Sequence, residues 1–310
     1  MTFLDGTRKI DRGEAKMFDR FDRLMVNVDI GINAVVGGSG APVLLLHGYP
    51  QTLAMWAHVA PVLASEYTVV CADLRGYGDS DKPAQDGDLA NYSFRQMAQD
   101  QVDVMRSLGF DRFHVVGHDR GARTAHRMAL DHEDAVRSIA VLDIVPTYDM
   151  FKTVDALTAR AYWHWYFLQQ PAPFPEEVIA ANPDHFFEGC LTGWGAMDIS
   201  EFDPEQLAAY RRSWRTRDAI FGGCADYRAA AEVDVALDEA DLHRTVDCPA
   251  LVIWGERGIA RLFDMEQLWA TRFSRMQTAS LPSGHFFVDQ FPEETTEILR
   301  SFLASASGAE

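Results

Sequence analysis

The chain has 310 residues, of which 47% are hydrophobic, and a formal net charge of −18. This length supports one large core, or a core with a small second lobe. The charge argues against nucleic acid or an anionic membrane surface as a partner, and no apolar run reaches the roughly 18 residues that a membrane span needs.

Short apolar runs alternate with helical patterns along most of the chain. In chain order, the predicted strands are 41–47, 67–73, 113–117, 137–144, 250–255 and 276–282. The predicted helices are 51–64, 93–109, 120–132 and 293–305. This alternation is typical of a mainly parallel sheet with crossover helices, so we predict an α/β fold.

The segment 148–227 differs from the rest of the chain. It contains proline-rich turns but no run typical of a buried strand, and it carries four of the seven tryptophans, which are Trp163, Trp165, Trp194 and Trp214. We predict a helical cap over 148–227, inserted between the two parts of a core domain, 1–147 and 228–310. Such a cap should cover the carboxyl ends of the strands, where α/β sheets bind ligands.

Residues 115–124, with the sequence VVGHDRGART, have the outline of a nucleophile elbow with an unusual central residue. In the pattern G-x-S-x-G, a strained turn between a strand and a helix lifts a serine above an α/β-hydrolase sheet. Here Gly117 and Gly121 flank Asp119 instead. A carboxylate is ionised at neutral pH without a partner base, so Asp119 can attack an sp3 carbon, displacing a halide or opening an epoxide. Helix capping is a common role for aspartate, but the flanking glycines and the preceding strand argue against it here.

Six stretches together resemble the haloacetate dehalogenases of the fluoroacetate dehalogenase type, within the α/β-hydrolase superfamily. They follow the order of that family over nearly the whole chain: HGYPQT at 47–52, GHDRGAR at 117–123, VLDIVPT at 141–147, WHWYFLQQPAPFPE at 163–176, DYRA at 226–229 and SGHFF at 283–287. The resemblance implies an α/β-hydrolase fold with a mostly parallel, eight-stranded sheet, flanking helices and an inserted cap. It also implies hydrolysis of fluoroacetate, chloroacetate or bromoacetate to glycolate and halide through an ester on Asp119, which is covalent catalysis.

A base and an acid are expected to act with Asp119. His285 follows the last predicted strand, where α/β-hydrolases carry their base, and it would deprotonate the water that attacks the ester. The commoner acid position, near residue 258, is occupied by Gly258. The resemblance assigns the acid to Asp143, which would fix the tautomer of the imidazole and stabilise the imidazolium. Glu256 is a weaker candidate for the acid.

The oxyanion hole is implied by the same resemblance. The backbone N–H groups of Tyr49 and Arg120 would stabilise the negative charge that develops while the ester is hydrolysed. Two other histidines of these motifs, His47 and His118, are predicted to be structural and held by local hydrogen bonds.

Arg120 and Arg123 lie three residues apart on the first turn of the predicted helix, so their side chains should share one face. Guanidinium groups fit a planar carboxylate better than lysine does, and a helix N-terminus favours anions. Most pairs of this kind bridge to surface acids. Beside a nucleophile, we predict that these two bind the carboxylate of a small anionic haloacid, whereas Arg127 is assigned a structural role.

The halide needs hydrogen-bond donors, which the family places in its cap as a histidine, a tryptophan and a tyrosine. By motif these match His164, Trp165 and Tyr227. The neighbouring Trp163 and Tyr166 are assigned to packing within the cap.

An epoxide hydrolase is the main alternative, because it shares the aspartate elbow, the HG-x-P motif and a cap. It typically protonates the epoxide with two cap tyrosines, whereas here Tyr227 is one candidate and the other segment has the sequence WHW. A haloalkane dehalogenase would need an apolar pocket, which arginines disturb. A non-catalytic protein on this fold could lack a member of the triad, yet Asp119, Asp143 and His285 are all present.

The remaining expectations concern location, cofactors and assembly. The N-terminal segment is charged from its start and has no hydrophobic signal sequence. The cysteines show no C-x-x-C spacing, so we predict neither disulfides nor a zinc site, and a reducing cytoplasm fits; they are Cys71, Cys190, Cys224 and Cys248. The pattern contains no metal-ligand cluster, P-loop or dinucleotide fingerprint, so no metal and no cofactor are expected. The resemblance suggests a homodimer.

Overall fold

The structure is a computed structural model that describes residues 6–10, 17–84, 87–193 and 198–308. Within these ranges it contains nine strands: β1 Thr7–Lys9, β2 Asp22–Asn27, β3 Gly31–Gly38, β4 Pro42–Leu46, β5 Thr68–Ala72, β6 Phe113–His118, β7 Val136–Leu142, β8 Ala250–Gly255 and β9 Met276–Leu281. They form one sheet in the order β1-β2-β3-β5-β4-β6-β7-β8-β9. In this order, the neighbouring strands from β1 to β5 pair antiparallel, and the neighbouring strands from β5 to β9 pair parallel. The predicted mainly parallel sheet is therefore confirmed.

The strand count differs from the expected eight by one short element. Over the described residues the additional strand is β1, whose three residues pair antiparallel with β2, Thr7 lying opposite Val26. An edge strand presents unpaired N–H and C=O groups that another segment can satisfy. By pairing with β2, β1 satisfies these groups of β2.

Helices flank the sheet and fill the long interval between β7 and β8. In the described ranges the α-helices are α1 Ala60–Leu63, α2 Phe94–Ser107, α3 Arg120–Asp131, α4 Thr147–Lys152, α5 Ala156–Ala161, α6 Trp163–Leu168, α7 Phe174–Ala181, α8 Pro183–Gly193, α9 Pro204–Trp214, α10 Arg217–Ala229, α11 Val235–Ala240, α12 Met265–Ala270, α13 Phe287–Gln290 and α14 Pro292–Ser307. A π-helix joins α10 to α11 at Ala230–Asp234, and short 3₁₀ helices lie at Leu53–Trp56, Leu89–Tyr92, Ile199–Glu201 and Ile259–Leu262. None of the helices in these ranges is both long enough and apolar enough to cross a membrane.

The single helix predicted over 51–64 is wrong. The chain forms the 3₁₀ turn Leu53–Trp56 and then, after a break, the short helix α1. Pro61 lies in the first turn of α1, and because proline has no N–H to donate, one helix cannot continue through it from the preceding turn. The other three predicted helices are observed as α2, α3 and α14.

Two aromatic side chains assigned to packing are partly exposed. Trp163 is 45% exposed and Tyr166 is 40% exposed. Both are on α6, a helix of only six residues whose buried side is taken by His164, Trp165 and Leu168. The packing predicted for Trp163 is confirmed, because its ring contacts Phe186 and Phe167, with centroids 5.7 Å and 6.2 Å away, but neither Trp163 nor Tyr166 lies in the interior. Trp194 falls outside the described residues.

The register of the parallel strands brings the predicted catalytic carboxylates to one edge of the sheet. His118, the last residue of β6, pairs with Leu142, the last residue of β7, and Leu142 pairs with Ile253 of β8. Asp119 and Asp143 are thus the first residues beyond two neighbouring strands. Loops at the carboxyl edge of a parallel sheet are where α/β proteins build ligand sites.

Candidate active site

Asp119 occupies a tight turn between β6 and α3. Its φ of 50° is in the left-handed region, which is uncommon for any residue other than glycine and costs about 1–3 kcal/mol. The turn brings the strand and the helix so close that a Cβ on Gly117 would lie 2.3 Å from the carbonyl oxygen of Gly121. A Cβ on Gly121 would lie 2.5 Å from the carbonyl oxygen of His47. The two glycines are therefore sterically required, and the predicted strand–turn–helix around Asp119 is confirmed.

The carboxylate of Asp119 is buried and held from one side. The backbone N–H of Tyr49 donates to its Oδ1 over 2.9 Å, and the approach is close enough that a Cβ on Gly48 would lie 2.4 Å from the Asp119 Cβ. Burial would raise the pKa of Asp119, but the charges of His285 and Arg120 outweigh it and hold the pKa below its usual value. The group is therefore ionised at neutral pH, as a carboxylate nucleophile must be.

His285 and Asp143 form a short, buried contact next to this carboxylate. The Nδ1 of His285 lies 2.6 Å from Oδ2 of Asp143, and the other oxygen of Asp143 accepts from the N–H of Gly255 over 2.8 Å. Burial would lower the pKa of His285, but the hydrogen bond to Asp143 and the charges of Asp143 and Asp119 raise it above its usual value. The Nε2 of His285 faces Asp119, 3.9 Å from its Oδ2.

The geometry separates the two candidates for the acid. Glu256 is exposed and accepts a hydrogen bond from Ser280, whereas Asp143 contacts the imidazole of His285 directly. A Cβ on Gly258 would lie 3.5 Å from Oδ2 of Asp143. The Asp143 carboxylate thus reaches the space beside residue 258, where the commoner layout carries its acid.

The remaining histidines of these motifs have local partners. The Nε2 of His47 accepts from the N–H of Leu74 over 3.0 Å, while its Nδ1 lies 2.9 Å from the carbonyl oxygen of Gly48. The Nε2 of His118 lies 2.9 Å from the backbone oxygen of His285. Both rings therefore hold loops of the site in place, in agreement with the structural roles predicted for them.

Arg120 is fully buried and makes its main contacts with a residue that the sequence did not indicate. Its Nε donates to Oδ2 of Asp226 over 2.8 Å, and its Nη2 donates to Oδ1 and, over 3.0 Å, to the backbone oxygen of the same residue. Tyr77 donates to Oδ2 of Asp226 over 2.6 Å. Among the described residues, the Nη1 of Arg120 has no hydrogen-bond partner.

Arg123 is also buried, but its partner is neutral. Its Nη1 donates to the hydroxyl of Thr147 over 2.9 Å, and within the described ranges its Nε and Nη2 have no hydrogen-bond partner. Burial and the nearby charge of Arg120 lower the pKa of Arg123 to about 10. The guanidinium carbons of Arg120 and Arg123 lie 5.8 Å and 4.8 Å from the ring centroid of Trp165, so the predicted sharing of one face is confirmed.

The three residues predicted to contact a halide form one aromatic cluster on helices α6 and α10. The ring of Tyr227 lies edge-on to His164 and Trp165, with centroids 5.7 Å and 5.6 Å away. Burial and the charge of Asp119 hold the pKa of Tyr227 well above its usual value, so its hydroxyl keeps its proton. Over the described part of the chain, the indole Nε1 of Trp165 has no hydrogen-bond partner. The cluster therefore offers N–H and O–H donors close to Asp119.

The sequence did not indicate Asp226, Tyr77 or Thr147. One signal was available, because Asp226 directly precedes Tyr227 in the quoted DYRA stretch, so the helix that carries the one must carry the other nearby. Thr147 likewise ends the quoted VLDIVPT stretch, although nothing in that stretch shows that it faces Arg123. No local signal points to Tyr77, which contacts Asp226 from a distant part of the chain.

Comparison with known proteins shows which family the chain belongs to. The chain matches the family described as alpha/beta hydrolase fold over residues 41–292. The fluoroacetate dehalogenase of a Burkholderia species is 63% identical over 292 residues, covering 94% of this chain and 96% of the relative. The soluble epoxide hydrolase of a Corynebacterium species is 29% identical, covering 87% of this chain and 92% of the relative.

A solved structure gives the same result for the fold. The crystal structure of a protein from Nostoc sp. PCC 7120, assigned to the α/β-hydrolases, superposes with a TM-score of 0.90 at 50% identity, covering 93% of this chain and 99% of that one. With the family match over most of the chain and the 63% identical relative, the protein belongs to the α/β-hydrolase family, in the group that contains the Burkholderia fluoroacetate dehalogenase.

Proposed function

We propose that the protein is a hydrolytic dehalogenase that converts haloacetates to glycolate and halide through an ester on Asp119. The observation that carries the proposal is a buried, ionised carboxylate beside two arginines that keep N–H groups without a protein acceptor among the described residues. The relative that is 63% identical is named for its action on fluoroacetate. We therefore take fluoroacetate, chloroacetate and bromoacetate as the substrates.

In the first half-reaction, Oδ2 of Asp119 attacks the methylene carbon of the haloacetate. A carbon–oxygen bond forms while the carbon–halogen bond breaks, and the halide leaves with the bonding electron pair. We assign the attack to Oδ2 because Oδ1 already accepts a hydrogen bond from the backbone N–H of Tyr49. Because a carboxylate needs no proton removed before it attacks, this step requires no general base.

In the second half-reaction, His285 takes a proton from water, and the water oxygen attacks the carbonyl carbon of the ester. Asp143 orients the imidazole and stabilises its positive charge. The developing oxyanion lies at Oδ1 of Asp119, to which the backbone N–H of Tyr49 donates. The second donor is the backbone N–H of Arg120, because Arg120 is the first residue of α3 and its N–H has no partner within that helix. When the tetrahedral intermediate collapses, its bond to the substrate oxygen breaks and glycolate leaves with the proton that His285 had taken. Asp119 is left as a carboxylic acid, which loses the second proton of the water to solvent and returns to the carboxylate.

The cap is proposed to bind the leaving halide. Fluoride in particular gives up strong hydration and needs donors that act as its charge develops. The side chains that supply them are His164, Trp165 and Tyr227, whose rings cluster close to Asp119. Burial holds the pKa of His164 well below its usual value, so its ring is neutral and donates through a single N–H.

The carboxylate of the substrate is assigned to Arg120 and Arg123. The N–H groups available to it are Nη1 of Arg120 and Nε and Nη2 of Arg123, for which the described residues offer no acceptor. A buried guanidinium whose hydrogen-bond partner is neutral, as Thr147 is for Arg123, is costly unless an anion completes it. A planar carboxylate fits the two forks in a way that a neutral substrate cannot.

We further propose that the core domain is formed by 1–147 and 228–310 and the cap by 148–227. This division is supported by the strands, because the nine that the described ranges contain all lie outside 148–227. Helices α4 and α10 cross its two limits by one or two residues. We also expect a cytoplasmic location, which suits four cysteines that are all free thiols.

A homodimer is the assembly that we propose, with the cap at its interface. Five large apolar side chains are exposed on helices α5 to α7, namely Leu157, Trp163, Tyr166, Phe174 and Val178. Contiguous exposed apolar surface is typical of interaction sites. Light scattering should therefore give the mass of a dimer, and the double variant Trp163→Glu and Phe174→Glu should be a monomer. A wild-type protein that stays monomeric at high concentration would exclude the dimer.

A substrate comparison tests the proposed reaction. Purified protein is incubated with fluoroacetate or chloroacetate and, separately, with styrene oxide, and released halide and diol are quantified. We expect halide from both haloacetates and no diol. Diol formation without halide release would favour the epoxide hydrolase alternative, to which the 29% identical relative belongs by name.

A further inference from the structure

Asp226 has a more specific role than that of an ordinary buried acid. Its side chain is fully buried in α10, and both of its oxygens accept from the guanidinium of Arg120. Tyr77 of the core adds a third hydrogen bond, 2.6 Å long, to Oδ2. A cap helix and a core loop thus hold one carboxylate against the arginine that directly follows Asp119.

These contacts leave Arg120 a single orientation. Two of its three nitrogens are bound to Asp226. Its guanidinium carbon lies over the rings of Tyr227 and Phe94, 4.2 Å and 4.6 Å from their centroids. Rotation of the guanidinium would break its three hydrogen bonds to Asp226 and disturb both ring contacts. Only Nη1 remains for a substrate.

The same contacts divide the charge of the arginine pair unequally. Arg120 and Asp226 form a neutral ion pair, since the carboxylate balances the guanidinium at hydrogen-bond distance. Arg123 is hydrogen-bonded to the neutral hydroxyl of Thr147 instead. The positive charge that an incoming carboxylate would neutralise is therefore mainly that of Arg123.

We infer that Asp226 is a positioning residue that fixes Arg120 and cancels its charge, so that Arg123 supplies the attraction for the substrate carboxylate and Arg120 supplies one directed N–H. The inference rests on the proposed function and deepens it. Two uncompensated cations would also hold the product glycolate, which is an anion like the substrate, too tightly. With the charge of Arg120 balanced by Asp226 and that of Arg123 unbalanced, the site orients the substrate without slowing the release of glycolate.

Asp226→Asn tests this division of roles. The variant keeps the shape of the side chain, removes one negative charge and weakens the hold on Arg120. We expect kcat for chloroacetate to fall about tenfold or more, because small displacements of a positioning group reduce the rate strongly. We also expect acetate, a non-reactive anion, to bind severalfold more tightly, because the site gains a net positive charge. Loss of kcat with tighter anion binding is a combination that general damage to the fold does not produce.

Two further variants separate charge from position. Tyr77→Phe removes one hydrogen bond to Asp226 and no charge, so kcat should fall severalfold while acetate affinity stays the same. Glu176→Gln is the matched structural control, since it breaks the buried pair that Glu176 forms with Arg228, two residues further along α10. It should lower the melting temperature without tightening acetate binding.

The inference is wrong if acetate binds to the Asp226→Asn protein as in wild type or more weakly. It is also wrong if Tyr77→Phe leaves kcat unchanged. This second test does not depend on whether the Asp226→Asn protein folds. Acetate affinity is measured by calorimetry and needs no turnover. A wild-type protein that releases no halide would therefore refute the proposed function, while the acetate titrations would still decide the role of Asp226.

Discussion

The Nε2 atom of His285 and the Oδ2 atom of Asp119 are 3.9 Å apart, which is too far for a hydrogen bond between them. In a serine hydrolase the base must contact the nucleophile, because it removes the hydroxyl proton. Asp119 has no proton to lose at neutral pH. The base and the nucleophile can therefore act in separate half-reactions, and variants of the base and its acid should affect only the second.

Asp143→Asn should slow hydrolysis of the ester by roughly two to four decades, because the imidazole loses the group that fixes its tautomer. Attack on the substrate should continue at nearly its normal rate. Rapid-quench measurement of halide should then show a burst of one halide per active site followed by a slow phase. Glu256→Gln, at the exposed candidate for the acid, should behave as wild type. A slow phase in Glu256→Gln, or wild-type turnover in Asp143→Asn, would refute this assignment of the acid.

The pH dependence of ester hydrolysis should show one limb on the acid side. His285 must be neutral to accept a proton, so the rate should increase as the pH rises through the pKa that His285 has in the ester intermediate. In the free enzyme the pKa of His285 is raised above its usual value. Esterification removes the negative charge of Asp119, which is one cause of the raised pKa. The limb should therefore lie at a lower pH than the titration of His285 in the free enzyme, followed by NMR. A limb at the same or a higher pH would contradict this coupling.

Tyr227→Phe should affect fluoroacetate more than bromoacetate. The change deletes one hydroxyl and keeps the ring that packs on His164, Trp165 and Tyr49. Loss of one preorganised donor costs on the order of 3 kcal/mol, or about a hundredfold in rate, and fluoride concentrates its charge more than bromide does. The ratio of the two kcat/KM values in wild type and variant is the measurement. Equal losses on both substrates would mean that Tyr227 shapes the pocket and does not bind the halide.

Arg123→Met should stabilise the protein and abolish turnover of haloacetates. A buried charge with a neutral partner is costly, and replacing buried charged groups by apolar ones often raises the free energy of unfolding by about 1–4 kcal/mol. The lost hydrogen bond to Thr147 offsets about 1 kcal/mol of that gain. Urea unfolding without ligand measures the change.

The same variant has a ligand control. Acetate should raise the melting temperature of wild type by binding to the folded state, and it should have no effect on Arg123→Met. Acetamide, which has the same shape without the charge, should stabilise neither protein. A destabilised variant that still responds to acetate would show that Arg123 has a structural role only.

The parts of the site that could be predicted are those fixed by the sheet. Asp119 and Asp143 each follow a strand directly, so the register of β6 and β7 decides their positions, and the apolar runs of those strands are evident in the sequence. The glycines around Asp119 show the tight turn in the same way. Short apolar runs and local turn chemistry are sufficient for these elements.

The parts that could not be predicted depend on how distant segments meet. Asp226 contacts Arg120 across 106 positions of the chain, and no local pattern shows which acid faces a buried arginine. The exposure of Trp163 is likewise decided by the orientation of α6, since its composition alone suggests burial. In the predicted helix 51–64, the apolar periodicity was real, but Pro61 interrupts the hydrogen bonding that periodicity implies.

The central claim is that Asp119 forms a covalent ester, and isotope transfer in a single turnover tests it most directly. Enzyme in excess over chloroacetate is allowed to react once in water enriched in heavy oxygen, and the peptide that contains Asp119 and the glycolate are analysed by mass spectrometry. The ester mechanism predicts one heavy oxygen in the Asp119 carboxylate and none in the glycolate, with no labelling of enzyme incubated without substrate. Heavy oxygen in the glycolate of that first turnover, with an unlabelled peptide, would mean that water attacks the substrate directly and would contradict the account.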